Sequence, residues 1–478
     1  MKNYVVIDIG TGNSRVALVR SDGKIWGMKH TENIYLRDRL YSDAQYFEAP
    51  KWKDKFLNMC RELVREFPDV HIDAVTASGC RQSTVFLDKD GEALYGIPNM
   101  DHRAKEYLDE IPNKKMIYEK TGRWLSTFPA GNLYGLRKKR PELFARIAKF
   151  TSLSEWMGYI FTGKLTMELS LACETQLLDI GKREWSEEIF RLYQFPMSLA
   201  PDLIAGPQTL GNFTEEGKHL LGVDYDLSFI VSGGDTQNAV AGAEGQVGDI
   251  TVISGTTSPL FFNVKDKFYD EQERCWVDLN IGGNNYFIET NPGVTGLNLQ
   301  RLKNLMLFDI SYDELNKKLM EKENVSMCAS FTTLLFDTGQ HIEKGGFFMG
   351  APWNPGIDRY DFAAAVLGDI ACALYRNYRK LTELTAYEKT YIRGCGGGFQ
   401  SDFLCQMLAD LTGKDLMLPN GFEQASLLGC VKFLNRFFNV SSEESGNIGN
   451  FYTYHPSDKS FSKEYYRKWN EIQEVVCN

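Results

Sequence analysis

No CxxC pair occurs anywhere in this 478-residue chain. Its ten cysteines, among them Cys60, Cys80, Cys173, Cys395 and Cys405, stand singly. That spacing argues against a zinc framework and suits reduced thiols better than disulfides. Basic blocks are also lacking: the longest is Arg137-Lys138-Lys139-Arg140, within a net charge of −10. A nucleic-acid partner is therefore not expected. No apolar run approaches bilayer-spanning length, so no membrane partner is expected either. The chain opens MKNYVVIDIG, straight into a strand pattern that leaves no room for a signal peptide. A soluble cytoplasmic globular protein is the expectation, long enough for two or more domains with their own cores. Two familiar phosphate motifs are missing as well. There is no GK[ST] P-loop, and with Gly394 and Gly396 as the first two glycines of a dinucleotide fingerprint the third position holds Phe399.

What is present centres on Phe229–Leu260, FIVSGGDTQNAVAGAEGQVGDITVISGTTSPL. An apolar strand at Phe229–Val231 leads to Gly233 and Gly234, whose freedom to turn would present Asp235 at the strand's carboxyl end. Open α/β sheets place their chemistry there. The small residues Ala239, Ala241, Gly242 and Ala243 suit a helix packed close against something. The following turn, Ser254-Gly255-Thr256-Thr257-Ser258, offers the hydroxyls and backbone N–H donors that a phosphate needs. A carboxylate near a phosphate-binding turn is kinase chemistry, with the acid taking a hydroxyl proton while the donors hold the phosphoryl group. From this stretch alone, a helix-capping aspartate and an ordinary hairpin read the same way.

The beginning of the chain carries a similar layout. Tyr4–Ile9, the turn DIGTGNSR, Val16–Val19 and the Ser21-Asp22-Gly23 turn form a β-meander, with Thr11 and Ser14 hydroxyls and Gly10 and Gly12 amides as candidate phosphate donors. Asp8 lies within water-bridged reach of Mg²⁺. Thr251–Val264 repeats the layout in weaker form, which predicts two domains of related fold, 1–244 and 245–478. Between them, Ile72–Ala77 ends at Ser78-Gly-Cys-Arg81-Gln82, where Arg81 and Gln82 could fork onto sugar hydroxyls. Further on come a Gly- and Pro-rich loop at Gly345–Pro355 and a long helix over Phe362–Leu381. Tyr391–Gly394 then feeds Cys395-Gly396-Gly397-Gly398, a turn that permits close approach by adenine or phosphate. Beyond Ser441 the composition turns polar and the tail is expected to be peripheral.

DIGTGNSR, SGCRQSTV, PNMDHR, SGGDTQ, SGTTS and RGCGGGFQSDFLCQMLADLTG follow one another in order from about Tyr4 to about Leu434. Together they resemble the FGGY carbohydrate kinases. The resemblance implies an α/β protein of two actin-like ATPase (ribonuclease H-like) domains flanking a central cleft, the first holding sugar and the second nucleotide. It implies ATP with Mg²⁺, and a small-molecule sugar or polyol as the partner; a homodimer is left open. Asp235 then stands as the catalytic base, and Asp8 and Asp235 as metal-side carboxylates. Thr11, Gly12, Asn13, Arg15, Gly255, Thr256, Gly397, Gly398 and Asp402 fall on the nucleotide side. Arg81, Gln82, Asn99, Phe128, Asp235 and Thr236 fall on the sugar side. Two departures stand out: Gln82 replaces the Glu of glycerol kinases, and Asn99 replaces a Trp. The second family signature is also shortened, at Gly356–Tyr360. The implied reaction is phosphorylation of a hydroxyl of an open-chain ketose, polyol or related sugar. A non-catalytic sugar or nucleotide sensor on the same fold is the alternative, and an actin-like ATPase acting on proteins a third. Neither needs a base at Asp235.

Overall fold

The structure, a computed structural model, describes residues 1–322, 324–332, 336, 344–441, 445, 450–457 and 460–476. The chain folds into two compact units. The first comprises Met1–Gly242 with two later segments, Lys265–Phe287 and Ser426–Ile448; the second comprises Ala243–Val264, Ile288–Ala425 and Gly449–Asn478.

In the first unit, Asn3–Ile9, Asn13–Arg20 and Ile25–Glu32 form the antiparallel meander expected from their apolar runs and turns. Asn3–Ile9 pairs in parallel with Ala74–Gly79, which in turn neighbours Ser228–Val231, and Gln208–Asn212 closes the sheet. Side chains alternate between the two faces, as strand geometry requires. Val5, Ile7, Ile9, Val16 and Leu18 pack with Trp52 and Phe56 of the Ala49–Glu66 helix and with Trp156 and Phe161 of the Leu153–Thr162 helix. Tyr4, Val6, Ala17 and Val19 face the other way, onto Leu427, Cys430, Val431 and Leu434. All the parallel strand ends point one way, and Gly79 and Gly234 pair there. That pairing sets Arg81 and Asp235 at the same edge.

In the second unit Leu260–Val264, Ile250–Ile253, Tyr391–Cys395, Asp415–Pro419 and Phe451–Tyr454 are successive neighbours, and the sheet continues past Leu260–Val264 with Tyr286–Thr290. Tyr391–Cys395 pairs in parallel with both its neighbours, while Leu260–Val264 and Phe451–Tyr454 pair antiparallel with Ile250–Ile253 and Asp415–Pro419. A 27-residue helix, Arg359–Thr385, begins at Asp358, whose side chain accepts from the Tyr360 and Asp361 amides in a capping box. The shortened Gly356–Tyr360 segment thus delivers the chain straight into a helix cap.

The tail departs from expectation. Ser460–Val476 is a helix whose Tyr465 and Trp469 are fully buried. The Tyr465 hydroxyl donates to Ala365 O at 2.8 Å, and Trp469 Nε1 donates to Asp369 Oδ1 at 2.8 Å. Polar composition misled because only one face of this helix, at four-residue spacing, meets the core. Among the described residues no helix is long and apolar enough to cross a membrane.

Candidate active site

Asp235 opens the helix Asp235–Gly242 directly after the Ser228–Val231 strand. The two glycines before it are dictated by space as well as by turning. Gly233 has φ +77°, and a Cβ on it would lie 2.7 Å from Ser170 Oγ and 2.9 Å from Glu168 Oε2. Asn238, one turn into the helix, clamps the turn from beneath: its Nδ2 donates to Ser232 O and Gly234 O, both at 2.9 Å. Close helix packing, anticipated from the small residues, is realised where a Cβ on Gly429 would come within 1.9 Å of Asn238 O.

The Asp235 carboxylate accepts from the Thr236 amide at 2.8 Å and the Thr236 hydroxyl at 3.2 Å, both on Oδ1. Loss of solvation pushes its pKa up to about 6, with the Arg81 guanidinium pulling it down and the Asp8 carboxylate pushing it further up. Asp235, Arg81 and Asp8 therefore share one electrostatic neighbourhood. A carboxyl held near neutrality at a strand end has the character of a general base.

Asp8 is buried on the first strand. Its Oδ2 accepts from Arg15 Nε at 2.8 Å and Ser426 Oγ at 2.6 Å. Its Oδ1 is buried and has no hydrogen-bond partner among the described residues. A buried, unpartnered carboxylate oxygen is costly unless a cation or water meets it, and that donor suits Mg²⁺. Arg15 faces Asp8 and Ser426. The hairpin turn is fixed through its carbonyls: Asn33 Nδ2 donates to Gly10 O at 2.7 Å, the Asn33 amide to Gly12 O at 2.9 Å, and the Tyr35 hydroxyl to Thr11 O at 2.6 Å. Gly12 is open, with no atom within 4 Å of an added Cβ, and Asn13 is exposed at the start of the second strand. Ser14 is not available to a phosphate: it is buried and bonded to Asn33 Oδ1 at 2.8 Å.

Arg81 and Gln82 end in a cluster that local sequence did not reveal. Arg81 Nη1 donates to Glu174 Oε1 at 3.0 Å and lies 3.6 Å from Asp278 Oδ2; Gln82 Nε2 donates to Glu174 Oε2 at 3.2 Å. The fully buried Arg123 pairs with Glu174 at 2.9 Å and with Asp278. Its guanidinium stacks 4.5 Å from the Trp276 ring and 5.1 Å from Phe128. Phe128 in turn meets Trp276 edge-on at 5.2 Å. Cys173, Glu174 and Asp278 lie close enough to hold a metal, but two guanidinia already supply the positive charge. Asn99 Nδ2 donates to Thr11 Oγ1 in the first hairpin turn at 2.8 Å.

In the second unit the two expected nucleotide-side turns adjoin. Ser254 N donates to Cys395 O at 2.8 Å and Gly398 N donates to Ser254 O at 3.0 Å. Gly255 and the exposed Thr256 are held from behind by the Gly296 and Thr295 amides. Gly397 is exposed, with nothing within 4 Å of an added Cβ. Asp402 is engaged elsewhere: Oδ1 accepts from the Tyr454 hydroxyl at 2.6 Å.

Comparison with known proteins bears on the family and the fold. The model for the N-terminal domain of the FGGY family of carbohydrate kinases matches residues 3–242, and that for its C-terminal domain matches 335–435. The chain is 34% identical over 475 residues to YoaC of Bacillus subtilis (strain 168), named a sugar kinase, covering 99% of this chain and 97% of that one. It is 22% identical over 458 residues to the autoinducer-2 kinase of Salmonella choleraesuis (strain SC-B67), covering 89% and 84%. The crystal structure of Plasmodium falciparum glycerol kinase with ADP superposes with a TM-score of 0.84 at 18% identity, over 100% of this chain and 99% of that one. The fold is the α/β fold of two actin-like ATPase units, and the chain belongs to the FGGY family of carbohydrate kinases.

Proposed function

We propose that this kinase transfers the γ-phosphoryl group of Mg²⁺–ATP to a hydroxyl of a small open-chain ketose, polyol or related sugar, with Asp235 as general base. The observation that carries the reading is the Asp235 carboxyl, held near pKa 6 at a strand end beside Arg81 and Asp8. Arg81, Gln82 and Phe128 form the carbohydrate side. In the first unit Asp8, Thr11, Gly12, Asn13 and Arg15 are the candidate phosphate and metal residues; in the second, Gly255, Thr256, Gly397 and Gly398 are the candidate nucleotide residues, with Asp402 as a support of its helix.

Asp235 accepts the hydroxyl proton as the sugar oxygen bonds to the γ-phosphorus. The bond from that phosphorus to the bridging oxygen breaks, and ADP leaves. Thr236, donating twice to Oδ1, leaves Oδ2 to receive the proton. Asp8 and Asp235 are the residues that would hold Mg²⁺, which when bound neutralises phosphate charge. An ATP-consumption screen across ketoses, polyols, aldonates and the autoinducer-2 precursor tests the reading. Carbohydrate-dependent ADP release that is lost in Asp235→Asn is expected; carbohydrate binding with no ADP release from any of them would favour a sensor.

A further inference from the structure

The Arg81–Glu174–Arg123–Asp278 cluster has a feature that the kinase reaction does not require. Two arginines side by side are the usual means of gripping a carboxylate or phosphate, because the guanidinium fork matches those groups in two bonds. Here both forks are turned onto acids of the protein itself. Glu174 is fully buried and meets Arg81 at 3.0 Å, Arg123 at 2.9 Å and Gln82 at 3.2 Å. Asp278, also fully buried, lies 3.6 Å from Arg81 Nη1 and pairs with Arg123 Nη2. Gln82 adopts φ +65°, a left-handed conformation unusual for a residue other than glycine. From there its amide reaches Glu174. A glutamate at 82 would set a second carboxylate against Glu174 at that distance, so the amide is what Glu174 demands.

We propose that Glu174 is the specificity-determining residue of the carbohydrate site: it orients the Arg81–Gln82 pair and cancels its positive charge, so that the site accepts a neutral polyol or ketose and rejects a sugar acid. This rests on the proposal above that Arg81 and Gln82 hold the carbohydrate. The charge balance supports it. Within the cluster two carboxylates (Glu174, Asp278) offset two guanidinia (Arg81, Arg123). A substrate carboxylate would find no uncompensated positive charge there, and an unpaired buried charge is strongly disfavoured. Hydroxyl groups carry no such penalty and can both donate to the acids and accept from the donors.

The test compares kcat/KM at pH 8 for D-xylulose, D-ribulose, xylitol and glycerol with that for xylonate and gluconate, in the wild type and four variants. The wild type should favour its best neutral substrate by at least about tenfold, the order expected when a site excludes a mismatched group. Glu174→Gln should raise KM for the neutral substrate more than it lowers kcat, and shrink the neutral-to-acid ratio about tenfold or more. Glu174→Asp, which keeps the charge, should restore much of that ratio. A purely structural Glu174 would scale all substrates alike and leave the ratio fixed. Gln82→Glu, at the partly exposed edge, should widen the ratio and so tests the idea even where Glu174→Gln does not fold. A wild type that prefers a sugar acid overturns the proposal. So does an unchanged ratio in folded Glu174→Gln when Arg81→Gln has raised KM for the sugar. If Arg81→Gln leaves every carbohydrate KM unchanged, the carbohydrate site lies elsewhere and the underlying reading falls with it.

Discussion

The Asn99 side-chain amide donates to the Thr11 hydroxyl at 2.8 Å. Thr11 Oγ1 accepts this bond, which leaves its own O–H able to donate. On the proposal that this turn holds phosphate, Asn99 orients one of its donors. Asn99→Ala should therefore raise the KM for ATP by about three- to tenfold, the order of one neutral hydrogen bond, with a smaller effect on the sugar KM. The reverse pattern in initial-rate kinetics would return Asn99 to the sugar side.

Asp235→Asn should fold normally, because the Asn oxygen can keep both Thr236 bonds, while kcat falls by about 10²–10⁴-fold. A variant retaining more than about a tenth of wild-type kcat would remove Asp235 as the base. The pH profile gives an independent check. The working form of a base is deprotonated, and this carboxyl is pushed up to about 6. Therefore kcat/KM should rise with pH along an acid limb centred near 6. In Arg81→Gln the guanidinium that lowers this pKa is gone, so the limb should move to higher pH.

Gly397 and Gly398 separate ligand approach from packing. A Cβ on Gly398 would sit 2.0 Å from Ser254 Oγ, so any side chain there displaces the Ser254–Ser258 turn. Gly398→Val should lower thermal stability, with overpacking costing about 1–3 kcal/mol, and weaken ATP binding as well. Gly397 has open space around it. Gly397→Val should raise the ATP KM with Tm and the sugar KM nearly unchanged. An unaltered ATP KM in Gly397→Val would move the nucleotide contact off this turn.

Much of the scaffold could be read locally, since each element carries its own signal. The Asp22-Gly23 turn, the alternation in the first strands, and Gly163 at φ +70° closing the Leu153–Thr162 helix all depend on neighbours in sequence. The SGGD turn and its aspartate were legible for the same reason. What stayed hidden depends on chain separation. Glu174 and Asp278 carry no motif and acquire meaning only when Arg81 and Arg123 arrive from elsewhere. Asn33 and Tyr35 look like loop residues until their bonds to the Gly10–Gly12 carbonyls are seen. The tail helix is the exception, because Phe461, Tyr465 and Trp469 fall at four-residue spacing and could have been recognised as a buried face.

Glu155 gives a prediction about stability. It lies fully buried in the first turn of the Leu153–Thr162 helix, where the Ser152 and Ser154 hydroxyls donate to its Oε2. Burial pushes its pKa up to about 7 from an ordinary 4.5, with the nearby Glu168 carboxylate adding to the rise and the serine hydroxyls opposing it. A carboxyl whose folded pKa is raised holds its proton more tightly when folded. Its contribution to stability is thus fully present below about pH 4.5 and is lost as pH climbs through 7. Glu155→Gln keeps an acceptor for the serines but never ionises. At pH 5 the variant and wild type should be about equally stable in urea unfolding, and at pH 8 the variant should be more stable by up to about 3 kcal/mol. Equal stability at both pH values would mean that Glu155 ionises as readily in the fold as in the unfolded chain. A loss at both would mean that the serine contacts, not the buried charge, dominate this position.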